Sequence, residues 1–288
     1  MSVEKQPSGV IHDIGYQRYT GARLGRSYAT RSLYIHSLRT ALGLGRGPKA
    51  KIFPWLAEGI LLLVAAIVTA IRAQGGEAVL SYSEFAGQLS FLLILFCAAT
   101  APELVSRDLR SGVLPLYFSR PIRRSDYAFG KLAGMATATW LLLAVPQTLM
   151  FIGGVFSVSG VSAVWDETIE YGQGLLASAL FALLFGAISI LIASLAGRRA
   201  VTAALIVVAF LVTTPIYAVI QEVGSGPVKQ LAGLINPVTL VLITNAWLTG
   251  DDLEGLGGNY GAIYALSTLI AILVCVLLLL LRYRKVAR

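Results

Sequence analysis

Residues 107–131, RDLRSGVLPLYFSRPIRRSDYAFGK, bring two kinds of binding chemistry into one short stretch. The basic side chains Arg107, Arg110, Arg120, Arg123, Arg124 and Lys131, with Asp108 among them, can rim a protein contact or hold lipid headgroups. Between them lie five large apolar residues: Val113, Leu114, Leu116, Tyr117 and Phe118. Left in water, each forfeits about 1.5–3 kcal/mol relative to burial. The run therefore buries against a bilayer surface, against its own helices or against a soluble partner. A loop that only sets topology has no use for it.

Catalytic chemistry is not spelled out elsewhere. The nearest approach to a phosphate loop, Gly43-Leu-Gly-Arg-Gly47-Pro48-Lys49, lacks the Gly-Lys-Ser/Thr ending, and Pro48 removes a backbone donor. Gly255-x-Gly257-x-x-x-Gly261 misses the dinucleotide spacing, and its neighbours Asp251, Asp252 and Glu254 repel phosphate. There is no zinc-binding His pair, nucleophile elbow or pair of intramembrane aspartates. His12 and His36 have no Cys or His partner at ligand spacing. Cys97 and Cys275 each stand in apolar runs, so neither a disulfide nor a metal site is expected.

These side chains are positioned by a chain of 288 residues that is 56% hydrophobic and 13% charged, the composition of a polytopic membrane protein. The fold class expected is all-α, with six transmembrane helices in one unit over residues 53–288. The spans fall at about 53–71, 89–105, 132–156, 174–195, 201–220 and 262–281. Pro102 should kink or end the second, Pro146 offers a kink in the third, and Gly130-x-x-x-Gly134 permits close helix approach. Pro54 suits a first helical turn. Glu58, just inside the first span, is expected to pair with a Lys or Arg or to snorkel. Residues 157–171, with Asp166, Glu167 and Glu170, read as a loop.

Residues 1–52 read as a cytoplasmic arm carrying an interfacial helix. Leu24, Tyr28, Ile35, Leu38 and Leu42 share its apolar face, with Arg26, Thr30 and Ser37 opposite and Arg31 obliged to snorkel. Residues 230–248 are apolar but hold Asn236-Pro237 and Asn245. Counted as a span, they would put the basic tail outside, so they read as re-entrant or lying on the outer surface. With six spans, 21 of the 23 Lys and Arg fall on one side, leaving Arg72 and Lys229 on the other. That bias puts both termini in the cytoplasm of a cell-membrane protein. The middles of the last four spans carry no ionisable residue, which argues against an ion-coupled carrier or channel. A membrane-embedded enzyme would need clustered polar residues at one depth, and none is found.

The stretch from Glu103 to Lys131 resembles the loop after span 2 in the second class of ATP-binding-cassette exporter permeases, the ABC type-2 membrane family. The shared features are an acid near the end of span 2, the Gly112-Val113-Leu114 turn, the Ser119-Arg120-Pro121 step, Arg124, Tyr127 and Gly130-Lys131. Pro115 departs from the pattern and puts the length of the intervening helix in question. The resemblance implies a short coupling helix that docks into a separate cytoplasmic ATPase through the five apolar residues and Arg107, Asp108, Arg110, Arg120, Arg123 and Arg124. It implies two ATPase copies carrying ATP and Mg, and a second permease subunit, identical or a sibling. This chain would have no catalytic, cofactor or metal site of its own. A hydrophobic or amphiphilic cargo such as a drug, antibiotic or lipid would leave between spans such as 2 and 5, with Trp140 and Phe151 as candidate path residues.

Overall fold

The structure, a computed structural model, describes residues 20–21, 24–74, 80–250 and 258–285. His12, the motif at Gly255 and Gly257 and its acidic neighbours lie outside the described residues. The described elements are helical, and six runs are long and apolar enough to cross a membrane.

Helix α1 (Arg26–Ala41) precedes the first of these runs, α2 (Pro48–Ala73). A short helix α3 (Tyr82–Gln88) leads into α4 (Ser90–Ala101). Pro102 neither ends nor breaks that span. Residues Pro102–Ser106 form a π-helical turn, and α5 (Arg107–Arg110) continues the same run. The wider turn accommodates a proline that cannot donate to the ladder. After α6 (Leu114–Phe118) come α7 (Arg124–Ser157) and α8 (Val161–Leu195). The fifth span is α9 (Arg199–Leu211) followed by α10 (Thr213–Val223).

Residues 157–171 are not a loop, because α8 begins at Val161. Their polarity misled, since a helix tolerates charge wherever a partner is supplied. Glu167 is buried, takes both guanidinium nitrogens of Arg72 at 2.7 and 2.5 Å, and accepts from the Tyr82 hydroxyl. Gly154 of α7 leaves room for this carboxylate, which any Cβ there would strike. Gln147 of the same helix donates to the Tyr82 carbonyl at 3.0 Å. Three helices and α3 are thereby joined at one end of the bundle.

The segment before the last span is a bent pair. α11 (Gly226–Leu231) with the 3₁₀ turn Ala232–Ile235 meets α12 (Pro237–Thr249) at 111°. Asn236 makes the corner. Its side chain accepts from the Val238 and Thr239 amides and donates to Thr214 Oγ1 at 3.2 Å. α12 packs on the final span, α13 (Gly261–Lys285), and on α8, with a buried Thr244–Thr268 hydrogen bond of 2.8 Å. Protein thus covers the non-helical corner, as a re-entrant reading requires.

One expectation for the first third of the chain is corrected. Helix α2 begins at Pro48, so Pro54 lies inside it rather than in its first turn. That proline gives the Ala50 carbonyl no donor. Gly43, with φ of 69°, lies against this carbonyl where a Cβ would collide. Glu58 forms no ion pair among the described residues, and one of its oxygens is buried without a hydrogen-bond partner.

Helix α1 turns its small residues to the protein, and of its apolar face only Leu38 and Leu42 pack on the core. Leu33, Ser37 and Ala41 are buried against α7, while Leu24, Tyr28 and Ile35 are exposed. Small size decides, because α1 crosses α7 at Gly130 and Gly134. A Cβ on Gly134 would lie 2.6 Å from Ser37 Cβ and 3.1 Å from the Leu38 amide nitrogen. Gly134→Leu is therefore expected to lever α1 off α7 at an overpacking cost of about 1–3 kcal/mol. The check is limited trypsin digestion in detergent: cleavage at Arg31 or Arg39 should quicken while cleavage elsewhere is unchanged.

Candidate docking surface

The segment between α4 and α7 folds back on itself through local backbone bonds. Ser111 donates to the Arg107 carbonyl, and Gly112 adopts φ of 64°, a left-handed turn that suits glycine. The Leu116 and Tyr117 amides then both return to Val113, starting α6. Pro115 sits in the first turn of α6, where its missing donor is harmless, and the helix is five residues long. The Arg123 amide donates to Asp126 Oδ2 at 3.0 Å, which caps the start of α7.

Ion pairs anchor the segment. Asp108 accepts from Lys131 Nζ at 2.7 Å and from the Tyr127 hydroxyl at 2.8 Å, so α5 is tied to α7. Lys131 is almost wholly buried, and burying a charge is tolerable only when it is paired. Glu103, on the π turn, sits between Arg46 and Arg199 at 2.6 Å each. It links the α1–α2 connection to α9. Asp126 receives Arg26 in a two-pronged contact of 2.6 and 2.5 Å, which fastens the start of α1. Arg124 donates to the Arg284 carbonyl and Arg282 to the Ser194 carbonyl, placing the end of α13 at the same basic end of the bundle.

The apolar run divides between inside and outside. Leu114 is buried in its own core. Tyr117 and Phe118 pack on Tyr127, at centroid distances of 5.4 and 6.1 Å, and Tyr127 packs in turn on Tyr283. Leu116 points away and is 68% exposed. It lines a cleft of about 1020 Å³ with Val113, between α1 and the α5–α6 segment. His36, Arg39, Arg107 and Arg120 line the same cleft. Burial, followed by the neighbouring Lys131 charge, holds the His36 imidazole below its ordinary range, so it is neutral near pH 7. Arg110 and Arg123 are exposed at the segment's edges.

Trp140 and Phe151 lie in the seam between α7 and α8. The Trp140 indole donates to the Leu175 carbonyl at 3.3 Å, and Phe151 stacks on Tyr171 at 4.5 Å. Neither lines the groove between the second and fifth spans described below. Sequence reasoning missed Arg26, Arg46, Asp126 and Arg199 as anchors. Their partners lie far along the chain, and no local spacing marks them.

A family model described as ABC-2 family transporter protein matches residues 24–287, which takes in every helix above. The chain belongs to the ABC-2 transporter family. No curated protein matches it. As an ABC-2 permease, it is the membrane component of an ATP-binding-cassette transporter, a family whose ATPase is a separate subunit. In this permease the stretch that resembles the family loop is also the one held by the Asp108, Glu103 and Asp126 pairs.

Breaking the buried pair one side at a time tests its role. Lys131→Met is expected to destabilise the permease by about 3–5 kcal/mol, because Asp108 loses its countercharge. Lys131→Met with Asp108→Asn should recover more than half of the loss. The measurement is the melting midpoint of the purified variants in detergent, read as a double-mutant cycle.

Proposed function

We propose that this ABC-2 permease is the transmembrane half of an ATP-driven exporter, and that α6 receives the motion of a cytoplasmic ATPase. The observation that carries this reading is Leu116, an exposed apolar side chain on a helix whose other large residues are locked into the bundle. A force applied at Leu116 passes to α7 through Asp108–Lys131 and to the second span through α5 and the π turn.

The clustering of arginines and lysines at this end orients it toward the cytoplasm. Two permeases, each with one ATPase holding ATP and Mg, would enclose the path. Val113 and Leu116 form the contact, with Arg107, Arg120 and Arg123 as its rim. Leu114, Tyr117 and Phe118 support it from behind. The apolar spans suit a hydrophobic or amphiphilic cargo taken from the cytoplasm or inner leaflet.

Gentle purification from the native membrane should bring down a stoichiometric ATPase. A partner-free protein with catalytic activity of its own would contradict the reading. Leu116→Asp should leave insertion and melting midpoint unchanged, because the side chain is already exposed. Efflux of an amphiphilic dye from cells should fall at least tenfold while ATP hydrolysis by the complex continues. Normal efflux would remove α6 from the docking role.

A further inference from the structure

A groove of about 1290 Å³ opens between the second and fifth spans and meets the docking segment only at Leu109 and Arg110. Its walls are apolar and mostly small: Phe53 of α2, Leu95 and Ala99 of α4, and Ala203, Ala204 and Val207 of α9. The α9 wall runs from the turn at Arg198 to Val208. Ten residues of helix rise about 15 Å, half of a hydrocarbon core about 30 Å thick. The groove is therefore about as long as one leaflet is deep, and it starts at the basic end.

That end is ringed by Arg110, Arg198 and Arg199, and no acid lines the groove among the described residues. Other basic residues at this end are neutralised: Arg26 by Asp126, Arg46 by Glu103 and Lys131 by Asp108. Arg199 is likewise held by Glu103. Arg110 and Arg198 form no ion pair among the described residues. Charge bias alone accounts for arginines at this depth. It does not account for a leaflet-long channel floored with alanine directly beneath unpaired ones.

We infer that the groove takes an amphiphile with an acidic headgroup, its apolar body along α4 and α9 and its anion between Arg110 and Arg198. The inference rests on the exporter reading only for what happens to that molecule next. Binding itself requires no ATPase. Alanine walls leave width for an acyl or terpenoid body, and guanidinium pairs suit carboxylate or phosphate. Trp140 and Phe151 take no part.

The test uses the full permease in phosphatidylcholine nanodiscs without ATPase, with radiolabelled dodecyl phosphate and, as the cationic counterpart, dodecyltrimethylammonium. Empty nanodiscs supply the partition background. Dodecyl phosphate should bind saturably and at least tenfold more tightly than the cation. Arg198→Glu, at an exposed turn position, should abolish that preference. Ala204→Phe, also exposed, should block the groove and weaken binding of both probes. Equal binding of the two probes, or an Arg198→Glu variant that keeps the preference, overturns the inference. So does absence of saturable binding, as when a second copy fills the groove. A permease that binds the anion yet brings down no ATPase would sink the exporter reading and leave this site standing.

Discussion

A lysine buried at the end of a membrane span is tolerable only beside a carboxylate, and the basic end of this protein is built around that constraint. Lys131 needs Asp108, and Asp108 can reach it only if the second span continues past Pro102 through the π turn. The continuation sets where Gly112 turns the chain, and so which side of α6 faces inward. Tyr127 completes the arrangement by donating to Asp108 and by offering its ring to Tyr117 and Phe118. One ion pair thus fixes the pose of the apolar run and leaves Leu116 outside.

The opposite end follows the same logic with different residues. Arg72, Tyr82 and Glu167 join α2, α3 and α8, and the capped corner at Asn236 seats the bent pair. The ion pairs among the described residues lie at the two ends, and charge is scarce between them. Such a bundle carries its electrostatic ties at its ends and an apolar middle between them. That suits a permease driven from one end by another subunit, and it gives an ion no stepping stones.

Much of this was legible in the sequence, for physical reasons that differ by element. The six spans follow from apolar length, and the break before the last one from Asn236-Pro237. The Gly130–Gly134 pair marks a helix crossing because missing side chains are visible in sequence. On α1, packing against α7 selects Ser37 and Ala41 for smallness, which periodicity does not register because it reads only hydrophobicity. Residues 161–171 looked like a loop because Glu167 carries no local sign of Arg72, 95 positions earlier. The division of the apolar run between core and surface was not foreseen. Alternation within a five-residue helix is set by Tyr127 and the core, which lie outside the run.

The account stands on Leu116 meeting a cytosolic subunit while its neighbours hold to the bundle. A photocrosslinking amino acid placed at position 116 in native membranes tests that contact most directly. The account predicts an ATPase-sized adduct that forms in the resting cell and shifts in yield when ATP is trapped on the complex. Adducts confined to lipid or to the permease's own helices would contradict it.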